Sequence, residues 1–300
     1  MNCTAFVHNN EGTPMTASLL RVSLFTGAAA VALASLNAKA DDKKWTEVRI
    51  VTEGGFVPWN YTKPDGTVAG FEIDLIHNLC DRMQVKCTIA TQSFDSMIPA
   101  LTSGKYDAIV DDVAITPKRE EVIAFSAPYA ALCYTFATLK DSDIAGKLPR
   151  DDRIVPLGDE AAAAKALEPV KAALKDKSIG TLSAGTSVAF VDTYLKGVTL
   201  TRQYKTPDAR DLDLVSGRVD VIIGSKDALL GAAAKQGNSG ITIAGPCFQG
   251  GVVGKGAGIG LRKEDSALRA LFDKAIQGAL ADGTIRKLSE PVFHMDVSPQ

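Results

Sequence analysis

Strand-like and helix-like segments alternate along this chain, and the alternation constrains the fold more than any other feature of the sequence. In the first half the segments are a strand at 48–51, an amphipathic helix at 70–80, a strand at 86–90, a helix that begins at 96 and ends at Gly104, and a strand at 106–110. Such alternation is typical of βαβ units. The sequence therefore predicts an α/β fold built on a mainly parallel sheet.

The alternation is interrupted and then starts again, which indicates a second lobe. A polar stretch at 141–152 separates the two parts. It is followed by helices and strands that occupy 159–174, 178–182, 188–195, 211–217 and 219–223. A chain of 300 residues is long enough for two medium-sized units. We therefore expect two α/β lobes, each with its own sheet.

Two ten-residue segments, 101–110 and 214–223, resemble each other. In each, a helix stops at Ser-Gly, a basic residue follows, and an aspartate leads into an apolar strand. Ligands of open α/β sheets bind at the carboxyl ends of the strands. The residues just beyond these two strands, Asp111, Asp112 and Ser225, are therefore expected to face the space between the lobes.

A cation, Arg119, follows the first of these strands after a Thr-Pro turn. A guanidinium held in place beside a strand end can bind a carboxylate through two parallel hydrogen bonds. The alternative is a surface turn with a solvated arginine.

The composition argues against several classes of function. The net charge is −2, the isoelectric point is about 6.0, and no basic run exceeds a pair of residues, so we expect no nucleic-acid partner. The chain has 3 histidines and no Cys-x-x-Cys pair, which makes a metal site or a Ser-His-Asp triad unexpected. The glycine-rich stretch at 254–260 lacks the spacing of a nucleotide-binding loop. No cofactor is predicted.

The N-terminal segment has the three-part layout of a secretory signal peptide. Arg21 precedes an apolar run at 22–36, and Ala38-Lys39-Ala40 forms an A-x-A site before a charged stretch. We expect a signal peptide at 1–40, cleavage after Ala40 and a soluble, exported product. An uncleaved anchor is the alternative, and Met15 is an alternative start to Met1.

The cysteines outside the leader fit an exported protein. Cys80 and Cys87 lie at a helix end and in the strand that follows, where a local disulfide would join the two elements. Two buried free thiols are the alternative. Cys133 and Cys247 are far apart in the sequence, in apolar or glycine-rich surroundings, and are predicted to be free core thiols.

Several short motifs in order resemble the periplasmic solute-binding proteins of polar amino-acid ABC transporters. They are similar to the lysine/arginine/ornithine and histidine binders and, most of all, to the opine (octopine, nopaline) binders. The motifs cover 52–60, 70–75, 80–87, 115–119, 123–126, 260–263 and 282–284. The resemblance implies the two-lobe type II fold, with two hinge strands near 130–134 and 247–253 and a ligand in the cleft. Lobe 1 would comprise 41–132 and 250–300, and lobe 2 would comprise 133–249.

The resemblance also implies roles for individual residues. Arg119 matches the arginine that holds the ligand's α-carboxylate, and Thr186, after Gly185 at a helix start, matches a second donor to it. Glu53 matches the acid that meets the distal nitrogen of a basic ligand. Phe56 and Phe94 match an aromatic pair that encloses the ligand's side chain, and Trp59 belongs to the same motif as Glu53. The alternatives are a plain helix cap for Thr186, a solvated acid for Glu53 and a core residue for Phe94.

Two departures from the family pattern bear on the ligand. Asp111-Asp112-Val113-Ala114 replaces a serine-rich run, so Ala114 lacks a hydroxyl donor and two acids add negative charge. One or both acids pointing to solvent is the alternative. Ser225 stands where these binders carry an aspartate for a primary α-ammonium, and Asp227 lies out of register. The two added acids favour a cationic ligand, and Ser225 favours a ligand with a substituted α-nitrogen, as in an opine.

The resemblance predicts the exported substrate-binding component of an ABC importer. It would be a monomer that binds a cationic amino acid or opine-type derivative by hinge closure and delivers it to an inner-membrane ABC permease. Free arginine, ornithine or lysine is the alternative ligand. An alternative of another class is a cyclohexadienyl or arogenate dehydratase on the same fold, with Glu53, Asp111 and Asp112 as acid and base. As the binding component of an importer, the protein is predicted to have no catalytic residue and no enzyme activity.

Overall fold

The computed structural model describes residues 44–149 and 154–299. The predicted leader at 1–40 and its cleavage point lie outside the described residues. Within the described ranges, no helix is both long enough and apolar enough to cross a membrane.

The described residues form fourteen strands and ten α-helices. The strands are β1 (Glu47–Thr52), β2 (Gly55–Phe56), β3 (Asn60–Thr62), β4 (Val68–Ala69), β5 (Lys86–Thr91), β6 (Ala108–Ile109), β7 (Ala124–Phe125), β8 (Tyr134–Leu139), β9 (Ile154–Pro156), β10 (Ser178–Leu182), β11 (Leu200–Tyr204), β12 (Val221–Ser225), β13 (Ile241–Gln249) and β14 (Gly260–Leu261). The helices are α1 (Phe71–Met83), α2 (Phe94–Thr102), α3 (Pro117–Glu120), α4 (Asp143–Lys147), α5 (Glu160–Leu174), α6 (Thr186–Phe190), α7 (Pro207–Val215), α8 (Lys226–Ala234), α9 (Ser266–Ala281) and α10 (Thr284–Phe293).

The first sheet has the strand order β5-β1-β6-β14-β7. Strand β1 is parallel to β5 and β6, whereas β14 is antiparallel to both of its neighbours. Because side chains alternate along a strand, Val48 and Ile50 of β1 pack in a core with Ile76 of α1, while Val51 packs in another core with Leu101 of α2. Helices therefore cover both faces of this sheet.

The second sheet has the order β11-β10-β12-β8-β13-β9. Strand β10 is parallel to β11 and β12, and β8 is antiparallel to β12 and β13. Both sheets are therefore mixed. In each, three neighbouring strands at one end are parallel, and an antiparallel strand lies next to them. Strand β14 comes late in the chain but belongs to the first sheet, so the first sheet draws on both ends of the described chain.

The two similar ten-residue segments have the same structure. Asp107 accepts a hydrogen bond from the backbone N–H of Arg49 at 3.0 Å, and Asp220 accepts one from that of Ser178 at 2.7 Å. Each aspartate thus joins its own strand to the neighbouring parallel strand. The resemblance in sequence reflects a shared way of starting the strand that leads to the cleft.

A small antiparallel sheet, β2-β3-β4, lies between β1 and α1 and was not predicted. It ends at Gly70, whose backbone has a φ of 121°. A Cβ at this position would lie 2.5 Å from the carbonyl oxygen of Trp59, so only glycine fits. The close approach places the Glu53-to-Asn60 loop against the start of α1.

Both cysteine pairs form disulfides. Cys80, at the end of α1, is bonded to Cys87 of β5, with the two Cα atoms 6.2 Å apart. Cys133 is bonded to Cys247, with a Cα–Cα distance of 5.5 Å, so the prediction of two free thiols was wrong. The reason is the pairing of β8 with β13, which sets Tyr134 opposite Phe248.

Candidate ligand-binding site

One pocket lies where the carboxyl ends of the two sheets meet. Eight of the eleven residues predicted to bind a ligand line it, namely Glu53, Phe56, Phe94, Asp111, Asp112, Arg119, Gly185 and Thr186. Further lining residues, which the sequence did not single out, are Tyr134, Leu182, Ser183, Lys205 and Pro207. Trp59, Ala114 and Ser225 are not among the lining residues. Ser183 and Lys205 follow strand ends, which is the signal that could have identified them.

Arg119 is held on the short helix α3. The hydroxyl of Thr116 caps this helix and accepts a hydrogen bond from the Arg119 N–H. The guanidinium donates to the carbonyl oxygens of Ala114 at 3.0 Å and Ala184 at 3.3 Å, and it lies over the ring of Phe94. An arginine side chain has five N–H groups, so others remain for a ligand. Arg119 is therefore a fixed cation in the pocket wall and not a solvated surface side chain.

The opposite wall begins at α6. Gly185 is the N-cap of this helix, and Thr186 is its first residue and is buried. The Thr186 hydroxyl donates to the hydroxyl oxygen of Tyr134, another wall residue. Thr186 is thus not a side-chain helix cap, and its hydroxyl is oriented by Tyr134. Burial raises the pKa of Tyr134 to about 12, so its hydroxyl keeps its proton at neutral pH.

Glu53 follows β1 directly and lines the pocket together with Phe56 and Phe94. Burial, together with the negative charges of Asp111 and Asp95, raises the pKa of Glu53 to about 7. A carboxylate in such surroundings gains a favourable partner when a cation binds. Glu53 is half-buried in the pocket wall, which differs from a solvated loop acid.

Asp111 is buried, and the protein itself satisfies one of its oxygens. Oδ1 accepts hydrogen bonds from the backbone N–H of Glu53 at 2.6 Å, the hydroxyl of Thr52 at 3.0 Å and the amide of Asn60 at 3.0 Å. Burial raises its pKa to about 6. Asp111 therefore positions the Glu53 backbone as well as lining the pocket, and it does not point to solvent.

Asp112 has different surroundings, although it is the next residue. Its backbone φ is 46°, and its N–H donates to the Glu72 carboxylate at 2.7 Å. Oδ2 accepts a long hydrogen bond of 3.5 Å from the hydroxyl of Ser225, across the cleft. Burial, and then the charges of Asp227, Glu72 and Asp111, raise the pKa of Asp112 well above its usual range.

Trp59, Ala114 and Ser225 lie behind the pocket wall. Trp59 is fully buried, and its indole N–H donates to Asp227 at 2.5 Å. Ser225 donates to the same oxygen of Asp227 at 3.3 Å. Ala114 is buried, and its carbonyl oxygen accepts from Arg119. These residues support the wall without facing into the pocket.

Glu72 is another buried acid, and its role was not evident from the sequence motifs. Its carboxylate accepts hydrogen bonds from the hydroxyl of Tyr129, the amide of Asn60 and the backbone N–H of Asp112. Burial raises its pKa to about 7. Glu72 lies four residues before the buried Ile76 on α1, and this position on the apolar face could have revealed it.

Comparison with known proteins places the chain in a family. Residues 48–295 match the bacterial extracellular solute-binding proteins, family 3, and the chain belongs to that family. It is 38% identical to an octopine-binding periplasmic protein of Rhizobium meliloti, over 90% of this chain and 97% of that one. It is 34% identical to a lysine/arginine/ornithine-binding periplasmic protein of Escherichia coli, over 83% and 88% of the two chains.

Solved structures agree with this assignment. A periplasmic binding protein of Salmonella typhimurium with high arginine specificity has a TM-score of 0.68 at 25% identity, over 83% of this chain and 99% of that one. A His/Glu/Gln/Arg/opine family-binding protein of Silicibacter pomeroyi in complex with lysine has a TM-score of 0.66 at 26% identity, over 84% and 100%. The predicted two-lobe type II periplasmic-binding-protein fold is therefore confirmed.

Proposed function

We propose that this protein is the exported substrate-binding component of an ABC importer and that it binds a cationic amino acid or an opine-type derivative of one. The observation that carries the proposal is the charge arrangement of the pocket. Arg119 is fixed on one wall, and Glu53, Asp111 and Asp112 line the same pocket. A ligand with a carboxylate at one end and a cation at the other complements both.

The ligand's two ends have separate partners in this proposal. Arg119 and Thr186 bind the α-carboxylate, with the backbone of Gly185 beside them. Glu53 pairs with the distal guanidinium or ammonium group, because a half-buried carboxylate is stabilised by a cation. Phe56 supplies an apolar surface for the ligand's side chain, and Phe94 does so while stacking on Arg119.

Hinge closure is part of the proposal. We assign lobe 1 to 41–132 and 250–300 and lobe 2 to 133–249. Contacts of Trp59 with Asp227, of Arg119 with Ala184 and of Ser225 with Asp112 then join the two lobes. Opening at the hinge would break them and expose the pocket, and ligand binding would favour the closed form.

The wider setting follows from the family and the leader. We propose export to the periplasm, removal of the signal peptide after Ala40, action as a monomer and delivery of the ligand to an inner-membrane ABC permease. One relative is an octopine-binding protein, and another is a lysine/arginine/ornithine-binding protein. An opine is the proposed ligand, with free arginine, ornithine or lysine as the alternative.

One observation favours a catalytic alternative. Glu53 has a pKa of about 7, which suits a general acid or base at neutral pH. A dehydratase acting on an arogenate-like substrate would use it. We propose binding and not catalysis, because the relatives with 38% and 34% identity are binding proteins. Turnover of arogenate that is lost in Glu53→Gln would support the alternative.

The test of the proposed function is calorimetric titration of the purified protein with octopine and with arginine. Arg119→Ala is expected to weaken binding of both ligands by at least about 100-fold, since a charged hydrogen-bond partner is lost from a buried site. Arg218→Ala is the matched control, because Arg218 is an exposed arginine that pairs with Asp213. Affinity within a few-fold of the wild type in Arg119→Ala would contradict the assignment of the pocket.

A further inference from the structure

One carboxylate oxygen in the pocket has no hydrogen-bond donor. Oδ1 of Asp112 is buried and has no partner among the residues that the structure describes. The other oxygen accepts only the long hydrogen bond from Ser225. A buried acceptor without a donor is rare in folded proteins and calls for an explanation.

The position of Asp112 is built into the fold. Its backbone has a positive φ of 46°, which is uncommon for a residue other than glycine, and its surroundings hold it there. The Asp112 N–H donates a hydrogen bond to the Glu72 carboxylate. That carboxylate is fixed by further hydrogen bonds from Tyr129 and Asn60. The side chain is therefore directed to the pocket by a chain of buried contacts.

The neighbouring acid cannot take the same role. Asp227 accepts hydrogen bonds on one of its oxygens from Trp59 and Ser225. Asp227 does not line the pocket, whereas Asp112 does. Of these two acids, only Asp112 combines a place in the pocket lining with a buried oxygen that has no donor among the described residues.

We propose that Oδ1 of Asp112 accepts a hydrogen bond from the charged α-nitrogen of the ligand, whether that nitrogen is a primary or a secondary ammonium. The proposal rests on the proposed function, which places the α-carboxylate on Arg119. Asp112 and Arg119 line the same pocket, and the α-nitrogen is bonded to the carbon that carries the carboxylate. The residue therefore selects α-amino acids and their N-alkyl derivatives over acids that lack this nitrogen.

The test compares arginine with 5-guanidinopentanoate, which is arginine without its α-nitrogen. The wild-type protein should bind arginine at least about 10-fold more tightly, as expected for a charge-assisted hydrogen bond. In Asp112→Asn, arginine should lose about that factor, while the affinity for 5-guanidinopentanoate stays within about threefold. Asp176→Asn is the matched control, since Asp176 is an exposed aspartate that also has a positive φ.

The outcomes separate this assignment from the proposed function. If the wild type binds neither arginine nor octopine, the proposed function fails and the assignment fails with it. If the wild type binds arginine and 5-guanidinopentanoate equally well, the function stands and the assignment is wrong, and this result needs no variant. Equal losses for both compounds in Asp112→Asn would also overturn it.

A second inference rests on a different observation, the unpaired ammonium of Lys205. Lys205 lies between β11 and α7 and lines the pocket. It has no hydrogen bond or ion pair with any residue in the described ranges. Arg119 is the other cation among the described lining residues, so the pocket presents two separate positive groups.

We infer that Lys205 binds a second carboxylate, carried on the substituent of the α-nitrogen, as in octopine. This inference also rests on the proposed function, since Arg119 is then occupied by the first carboxylate. A free ammonium at the pocket wall would favour a ligand with an additional acid and oppose a ligand such as arginine, which has a net positive charge.

Titration of Lys205→Met with octopine and arginine tests the inference. Octopine should bind about 10-fold more weakly, while arginine should bind with unchanged or higher affinity. Lys196→Met, at another exposed lysine, is the control and should change neither. Equal losses for both ligands, no loss for octopine, or a wild type that binds arginine but not octopine would each overturn the inference and leave the proposed function intact.

Discussion

Single residues in this pocket differ in how much of their hydrogen-bonding capacity the protein uses. One oxygen of Asp111 accepts hydrogen bonds from three donors, and these bonds position the start of the Glu53 loop. Asp112 keeps one oxygen without a donor among the described residues. Glu53 lines the same pocket, and burial is the main cause that raises its pKa to about 7. The pocket thus combines acids that build the wall with acids that are available to a ligand.

The pKa of Glu53 predicts how binding depends on pH. A cationic ligand needs the ionised form, and the fraction of this form falls about tenfold per pH unit below the pKa. The dissociation constant for arginine should therefore rise as the pH falls below about 7 and level off above it. Calorimetry between about pH 5.5 and about pH 8.5 measures this slope.

Glu53→Gln is the control for this pH dependence. It should bind arginine more weakly at every pH and should flatten the rise below neutral pH. A dissociation constant that stays the same across the range in the wild type would contradict the role of Glu53.

Substitution of Trp59 tests whether this motif residue contacts the ligand or stabilises the fold. In Trp59→Phe the donor to Asp227 is lost while most of the buried ring remains, so the free energy of unfolding should fall by about 1–3 kcal/mol. Urea unfolding of the ligand-free protein measures the change. In an Asp227→Ala background the same substitution should cost less. Unchanged stability together with lost ligand binding would instead support the predicted ligand contact.

Elements with strong periodicity were predictable, and short ones were not. The alternation of β1, α1, β5, α2 and β6 was predicted to within a few residues. The strands of the small sheet are two or three residues long and carry no periodic signal. Helix α8 was missed because its run of alanine and leucine has no clear apolar face. Tertiary contacts, and not local sequence, define these elements.

Of the two disulfides, the sequence predicted one and missed the other. Cys80 and Cys87 are close in the chain, so a bond between two adjacent elements was visible. Cys133 and Cys247 are separated by 114 residues, and only the pairing of β8 with β13 brings them together. Pairing between distant strands has no local signature, and the reading of two free thiols was therefore wrong.

The two disulfides should differ in their contribution to stability. In the chain-entropy account a cross-link stabilises more when it closes a longer loop. Removing Cys133–Cys247 by a double Cys→Ser change should lower the free energy of unfolding by about 4–5 kcal/mol, and removing Cys80–Cys87 by about 2–3 kcal/mol. Urea unfolding of the two double variants compares them. A larger loss for the Cys80–Cys87 variant would contradict this ranking.

At the scale of the whole molecule, the site exists only because two sheets meet at their carboxyl ends. The general rule for α/β sheets and the two similar segments were enough to predict that Asp111, Asp112 and Ser225 lie near one another. The rule does not say which of them face the pocket. The side chains of Ser225 and Trp59 donate hydrogen bonds to Asp227. The buried Glu72 accepts one from Tyr129, which is 57 residues away in the chain. Which side chains face the pocket therefore depends on packing between residues that are far apart in the sequence.

The central claim is that the pocket selects a ligand with a carboxylate at one end and a cation at the other. The most direct measurement is calorimetric titration of the purified protein with octopine, nopaline, arginine, ornithine and lysine, and with glutamate and glutamine as comparisons. We expect binding of at least one compound with a cationic side chain and no heat from glutamate. Tighter binding of glutamate or glutamine than of every cationic compound would contradict it.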